Sequence, residues 1–134
     1  MTKDETTGTG DYRTGDEPTS YTIEIAVDSP IVRAIGGTPS VGNFVYMPAL
    51  LRCNGNDIVT WECRSPFTLV FKDGTPVEEV EIVGGPQDTP TGVTYVAGPY
   101  TIDTEASGIY HYATAVFQNG RVFLDATCAS LSVN

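Results

Sequence analysis

The residues that could do chemistry are few. The sequence has one histidine, His111, so a Ser–His–Asp assembly would have to use it as the base. No serine lies in the glycine pattern of a nucleophile elbow. His111 stands between two tyrosines on a predicted strand, a setting that favours a structural or solvent-exposed side chain. We therefore predict no catalytic residues and no enzyme activity.

The three cysteines give no metal-site or disulfide pattern. Cys53, Cys63 and Cys128 form no CxxC pair, and one histidine cannot complete a His-rich metal site. An odd count is poor evidence for a disulfide framework, so three buried thiols are favoured, with one disulfide plus a free thiol as the alternative. Cys128 with His111 as a nucleophile–base pair has no support from spacing.

The acidic residues that follow one another most closely are Glu78, Glu79 and Glu81, with Asp88 further on. Their spacing is not that of an EF-hand, so we interpret them as a solvated sheet edge rather than a cation site. No glycine-rich phosphate loop precedes a helix. We predict no metal and no cofactor.

The charge balance restricts the partners. With 17 acidic and 7 basic residues, the net charge of −10 argues against binding nucleic acid or anionic membranes. It fits a soluble protein, a cation-binding surface or a basic partner. No apolar run approaches the ~18 residues of a membrane span, and no apolar leader opens the chain. A cytoplasmic location, or a place in a larger particle, is the expectation unless a presequence has been removed.

The elements that must position these residues are β-strands. In the stretch from Asp57 to Phe71, apolar and polar residues alternate on both sides of Ser65-Pro66, and the only tryptophan, Trp61, lies within it. A second alternating run, 108–117, precedes Asn119-Gly120, a strong two-residue hairpin signal. Further strands are predicted at 21–28, ended by Ser29-Pro30, at 31–35 and at 77–83, with loops at 38–43 and 84–92. Short strands separated by turn residues predict an all-β, two-sheet Greek-key sandwich.

The composition divides the chain into two segments. Residues 1–20 are polar, acidic and rich in Thr and Gly, which predicts a tail that is disordered in isolation. Residues 21–134 form the sandwich domain. An extended segment such as this tail could add to the sheet edge of a neighbouring subunit, so residues 1–20 are a candidate route to a protein partner or a homo-oligomer.

Two blocks of sequence resemble the cupredoxin family. That family enters a strand with F-x-P-x-x-I-x-V-x-x-G-D-x-V-x-W and later runs G-x-Y-x-Y-x-C-x-x-H. The matching positions of the two blocks are Pro48, Leu51, Cys53, Asp57, Val59, Trp61, Gly108, Tyr110 and Tyr112. The stretch Glu105–Tyr110 also resembles the D-S-G-x-Y element of immunoglobulin-like domains. Both resemblances imply a Greek-key sandwich in which the Tyr110 hydroxyl caps a backbone group.

The copper ligands that the resemblance implies are absent. Type 1 copper needs two imidazoles and a thiolate, with a weak axial sulfur. By position, Phe67 and Phe117 stand where the family has its two histidines, and Thr114 stands where it has the cysteine. The position of the axial methionine falls at about Thr127. None of these side chains can bind copper as the family does. We therefore expect a copper-free cupredoxin-like domain with no electron transfer.

The two phenylalanines invite a hydrophobic-contact hypothesis. If Phe67 and Phe117 are both exposed, they mark a binding surface at one pole of the sandwich. If both are buried, they are core, and we favour the core. The Asn119-Gly120 hairpin beside Phe117 is the loop we expect to make contacts, because loops at a sandwich pole often carry binding.

Three hypotheses for function remain. The first is a non-enzymatic structural or interaction module that contributes to a protein assembly. The second is a domain that binds a basic protein or a small apolar ligand through the Phe67/Phe117 pole, with Asn119 and Gly120. The third is an enzyme or redox protein, which a blue colour on adding copper would support.

Overall fold

The computed structural model describes residues 17–31, 40–125 and 129–134, which form eleven β-strands and no helix. The prediction of an all-β chain is therefore confirmed. The strands are β1 (Ser20–Ile31), β2 (Ser40–Met47), β3 (Leu50–Cys53), β4 (Ile58–Cys63), β5 (Phe67–Lys72), β6 (Glu81–Val83), β7 (Gly85–Thr89), β8 (Gly92–Thr101), β9 (Gly108–Gln118), β10 (Arg121–Asp125) and β11 (Ala129–Val133). No helix in the described part of the chain is long and apolar enough to cross a bilayer.

Hydrogen bonds connect all eleven strands, and β9 is the junction. The main path runs β3-β11-β9-β10-β2-β1-β4-β8-β7, while β5 joins β9 and β6 joins β5. One edge of β9 pairs with β11 through its first half and with β10 through its last residues. Its other edge pairs with β5. Three pairs are parallel, namely β1–β4, β2–β10 and β3–β11.

The core forms around Trp61, as its place in the alternating stretch predicts. Its ring, fully buried, meets the ring of Phe71 at 6.1 Å and that of Tyr112 at 5.8 Å between centroids, both edge to face. Because β4 is not hydrogen-bonded to β5 or β9, these contacts show that the β4 part of the sheet packs face to face against the β5–β9 part.

The polar atoms of this aromatic cluster are enclosed with it. Burial raises the pKa of the Tyr112 hydroxyl, and the neighbouring Trp61 indole N–H opposes the rise. The indole nitrogen itself is buried without an acceptor in hydrogen-bonding geometry among the described residues. The cluster is therefore held by apolar packing rather than by a polar network.

The predicted alternation of the two runs is confirmed, and the structure shows which face of each is buried. Val59, Trp61 and Cys63 of β4 are all buried. On β9, Tyr112, Thr114 and Val116 are buried and Tyr110 is partly buried, whereas the residues between them are exposed or half-exposed. Alternation of this kind places one face of each strand on the core.

Several predicted strand limits are wrong. β1 does not end at Ser29-Pro30 but continues to Ile31 after a register shift between Val27 and Ser29. The predicted loop 84–92 contains β7, which pairs with β8 at the end of the sheet. An edge strand needs a partner on one side only, so it tolerates Pro86 and polar residues that a central strand would not.

Two further segments differ in extent. The predicted strand 77–83 is reduced to β6, since residues 77–80 leave the sheet. The predicted loop 38–43 overlaps β2, which begins at Ser40. Of the predicted strand 31–35, only Ile31 lies within the described residues, as the last residue of β1. Residues 1–16 of the predicted tail lie outside them, and β1 begins at Ser20.

One turn and one backbone cap form as predicted. Asn119 and Gly120 both have positive φ, 54° and 73°, and join Gln118 to Arg121 in the β9–β10 hairpin. A two-residue turn with two positive φ angles matches the twist of the strands it joins. At the entrance of β9, the Ser107 N–H donates to the Tyr110 hydroxyl at 3.2 Å, which confirms the expected backbone cap.

Asp57 fixes the turn from which the central strand begins. Its carboxylate is fully buried and accepts hydrogen bonds from the Thr19 N–H at 2.9 Å and the Asn54 N–H at 2.8 Å. Its carbonyl accepts from the Ile102 N–H at 2.8 Å. One residue thus connects the start of β1, the β3–β4 turn and the end of β8.

The Asp57→Asn variant should unfold more easily than the natural protein. The amide would present an N–H₂ group to one of two backbone N–H donors, and an unmade buried hydrogen bond costs about 1–3 kcal/mol. We expect a loss of that size in the free energy of unfolding, measured by urea denaturation. Asp88→Asn, at an exposed position of β7, is the matched control and should change stability by less than about 0.5 kcal/mol. Equal stability of the two variants would contradict this role of Asp57.

Candidate functional site

The two predicted phenylalanines lie on opposite faces of the sheet. Phe67 pairs with Val116 and is buried, with 4% of its surface exposed. Phe117, one residue further along β9, has 57% of its surface exposed. Because successive side chains of a strand point to opposite faces, the two rings do not form one patch. Gly84 covers the Phe67 ring so closely that any side chain there would overlap it.

The rest of the predicted pole is exposed. Asn119 and Gly120 form the tip of the β9–β10 hairpin, and both are exposed to solvent. Phe117 stands two residues before the tip, opposite Val122 of β10. Of the four predicted site residues, the structure brings together Phe117, Asn119 and Gly120, and it assigns Phe67 to the core.

A larger apolar surface extends from Phe117 across the outside of the sheet. We call it the outer apolar face, and it consists of Val70, Val83, Ala113, Ala115, Phe117 and Leu124. The exposed fractions are 41% for Val70, 63% for Val83 and 41% for Leu124. Contiguous apolar surface of this kind commonly marks an interaction site in soluble proteins.

The strand register shows that the outer apolar face is continuous. Val83 of β6 lies opposite Thr68 of β5, Thr68 opposite Ala115 of β9, and Ala115 opposite Leu124 of β10. Val70 is likewise opposite Ala113 in the neighbouring row. Directly opposite side chains stand about 5 Å apart, so the first row is continuous across four strands and the second across β5 and β9.

Thr68 lies between Val83 and Ala115 in the first row, and its hydroxyl is already hydrogen-bonded. Thr68 Oγ1 donates to the Ile82 carbonyl at 3.0 Å, which leaves its methyl group as the part available for contact. Glu81, opposite Val70, is the carboxylate at the border. A partner covering the outer apolar face would therefore desolvate few polar groups.

Sequence reasoning missed this surface although a signal was present. Residues 113, 115 and 117 are apolar on the outward face of β9, so this strand is apolar on both faces for part of its length. The contribution of Val83 and Leu124 could not be read from the sequence, because it depends on which strands become neighbours of β5 and β9. Long-range pairing brought them together.

A polar network occupies the interior beside Thr114, the residue that takes the cysteine position of the cupredoxin pattern. The Tyr46 hydroxyl is 2.6 Å from Asp125 Oδ2 and 2.9 Å from Thr114 Oγ1. Tyr46 has one hydroxyl hydrogen, which it donates to the carboxylate, so the Thr114 hydroxyl is placed to donate to Tyr46. Burial, followed by the bond to Asp125, raises the pKa of Tyr46.

His111 lies on the outer face, away from the cysteines whose positions are described. Its Nδ1 is 2.9 Å from Ser130 Oγ on β11, and Lys72 is its neighbour on β5. Cys53 and Cys63 are buried free thiols, and burial raises the pKa of Cys53 to about 12, with a further rise from Asp57. A thiol in this state is a poor nucleophile at neutral pH. Cys128 lies outside the described residues.

The acidic residues are dispersed. Glu81 is on β6, which pairs with β5, whereas Asp88 is on β7, which pairs with β8. Within residues 17–31, 40–125 and 129–134, no group of three or more His, Cys, Asp or Glu side chains is placed to hold a metal ion. The outer apolar face is therefore the candidate site with the most structural support.

The chain matches no protein-family profile, and no curated protein sequence matches it.

The Tyr46→Phe variant should show whether the network beside Thr114 stabilises the fold. Removing the hydroxyl leaves Asp125 and Thr114 without a shared partner, and we expect a loss of about 1–3 kcal/mol in the free energy of unfolding near neutral pH. Tyr95→Phe, at a half-buried position of β8, is the control and should lose less.

The same variant makes a prediction about pH. Above about pH 10 the unfolded state releases the Tyr46 proton and the folded state keeps it, so the natural protein loses stability as pH rises. The variant lacks this contribution. Its deficit relative to the natural protein should therefore shrink between about pH 8 and about pH 11, measured by urea denaturation, and a constant deficit would contradict the raised pKa.

Proposed function

We propose that this protein is a non-enzymatic structural or interaction module, a copper-free cupredoxin-like domain that contributes to a protein assembly. The observation that carries the proposal is the outer apolar face, which exposes a continuous apolar surface across four strands. Surfaces of that kind are stabilised when another molecule covers them.

The finer description of the fold is part of the proposal. We assign one sheet to β3, β11, β9, β5 and β6 and the second to β10, β2, β1, β4, β8 and β7, with the β9–β10 hairpin passing between them. The face-to-face packing of Trp61 on Phe71 and Tyr112 supports two layers. The cap on the Tyr110 hydroxyl is compatible with both Greek-key families whose pattern the sequence resembles.

The absence of copper chemistry follows from side-chain type. A threonine hydroxyl and phenylalanine rings are not ligands for type 1 copper. Thr114 is hydrogen-bonded to Tyr46, and Phe67 fills the core. The residues that this chain offers at the cupredoxin positions therefore favour packing over metal binding.

Self-association is the first property to test. Sedimentation of the full chain over a concentration series should show reversible association, and deletion of residues 1–16 should weaken it if the tail adds to a neighbouring sheet. The first described strand begins at Ser20, so the deletion removes none of the described strands. A full chain that stays monomeric at the highest concentration would reject self-assembly.

A second candidate function is recognition of a basic protein or small apolar ligand at the Phe117 end. The exposed Phe117 ring beside the hairpin tip, on a chain with a net charge of −10, favours it. A synthetic peptide of alternating Lys and Leu is a suitable probe. Phe117→Ser should weaken its binding about tenfold in a fluorescence titration, since a buried aromatic contact is worth at least ~1.4 kcal/mol. Binding unaffected by Phe117→Ser would eliminate this site.

A further inference from the structure

We infer that part of residues 1–16 pairs with the open edge of β3 in the same chain and adds a strand to the sheet there. The inference goes beyond the proposed assembly function and does not depend on it. The interaction surface is the edge of β3 that faces away from β11, and its partner is an extended segment of this chain. Such pairing is held by main-chain hydrogen bonds and needs no preformed pocket.

β3 lies at one end of the hydrogen-bonded path, with β11 as its neighbour among the described strands. The Cys53 carbonyl accepts from the Asn134 N–H at 2.9 Å, so Leu51 and Cys53 direct their backbone groups towards β11. Because these groups alternate along a strand, the N–H and C=O groups of Leu50 and Arg52 point to the opposite side. An edge of this kind is a template for a further strand.

The chain that precedes β1 emerges beside this edge. One carboxylate oxygen of Asp57 accepts from the Thr19 N–H at 2.9 Å, and the other accepts from the Asn54 N–H at 2.8 Å. Asn54 directly follows β3, so Thr19 is held next to the end of that strand. A segment that leads into Glu17 from alongside β3 would run in the same direction as β3. It would pair in parallel, as β11 does on the other side.

The length of the segment is sufficient, and its attachment favours it over a neighbour's. Four residues of β3 extend roughly 13 Å, whereas sixteen extended residues reach up to roughly 50 Å. A partner tethered by a short linker acts at an effective concentration in the millimolar range. The same segment of another molecule would compete only at its much lower solution concentration. The position of Glu17 therefore selects the chain's own residues 1–16 as the occupant.

The composition of residues 1–16 suits an added strand. The segment contains no proline, so its residues can all offer a main-chain N–H to the ladder. Five of its sixteen residues are threonines, and Tyr12 lies near its end. Threonine and tyrosine are among the residue types that favour strands.

Charge favours the same contact. Arg52 is exposed on β3, and Lys72 stands opposite His111 on the same outer face of the sheet. Ser130 of β11 connects that row to Leu50 of β3. The area holds two of the four lysine and arginine side chains within the described residues. Residues 1–16 carry four acidic and two basic side chains, so their net charge is opposite to that of this area.

Two other described strands lie at an edge, and both fit less well. β7 contains Pro86, and a strand proline has its nitrogen on the open side, where it offers no N–H to a further strand. The exposed carboxylate of Asp88 lies on the same strand. β6 is three residues long and exposes Glu81. Each of these edges thus carries a carboxylate, whereas β3 carries Arg52.

Amide hydrogen exchange of the full chain, read by NMR residue by residue, tests the pairing. Deleting residues 1–16 should speed exchange of the Arg52 N–H at least about tenfold, because the deletion removes its hydrogen-bond partner. The Leu51 N–H, which faces β11, is the matched control, and its rate should be unchanged. An Arg52 rate that the deletion does not alter would overturn the inference. Equal acceleration of Leu51 would overturn it too, since the effect would not be specific to the open edge.

A charge variant tests the side-chain contact. In the full chain, Arg52→Glu should speed exchange of the Leu50 N–H, the second amide of the open edge, at least about threefold. In the chain that lacks residues 1–16 the substitution should have no such effect. Arg121→Glu, at an exposed position of β10, is the control and should leave the Leu50 rate unchanged. An equal effect of Arg52→Glu in the two chains would contradict the contact.

Dilution distinguishes this inference from the proposed assembly function. Protection of Arg52 by the chain's own residues should be the same at about 50 μM and about 1 mM. Protection that rises with concentration would assign the edge to a neighbour's segment, which overturns this inference and supports assembly. If protection is independent of concentration and the chain sediments as a monomer, this inference stands and self-assembly is rejected.

Discussion

The packing of Trp61 against Phe71 and Tyr112 is the contact on which the rest of the structure depends. β4 shares no hydrogen bonds with β5 or β9, so these rings set the position of β4 relative to the other two strands. Burial of aromatic side chains contributes more per residue than any other apolar contact. Because the three rings lie edge to face, they fill the space between β4 and the β5–β9 pair.

Once that contact is made, the alternation of each strand decides what faces outward. The buried face of β9 consists of Tyr112, Thr114 and Val116, so the residues between them must face the other way. That is why Ala113 and Phe117 are exposed and Ala115 is half-exposed. The outer apolar face is thus a direct consequence of a strand that is apolar on both sides for part of its length, and among the described residues only one of those sides is buried.

Much of the fold could be predicted from the sequence, because alternation and turn residues are local signals. The central strands, the Asn119-Gly120 hairpin and the Tyr110 cap follow from residues within a few positions of one another. The edge strand β7 could not be predicted in this way, since its sequence, GPQDT, becomes a strand only by pairing with β8. For the candidate site, the residue type of Phe117 was informative. The separation of Phe67 from Phe117 depended on the β5–β9 register, which no local pattern specifies.

The parallel pairing of β3 with β11 has a consequence for how the protein is made. β11 is the last strand in chain order, and it lies between β3 and β9 in the sheet. Among the described strands, β11 is the one that pairs with β3, so Leu51 and Cys53 lack that partner until β11 emerges from the ribosome. The nascent domain must therefore carry an incomplete sheet until β11 has been translated, and its hydrophobic interior can close only then.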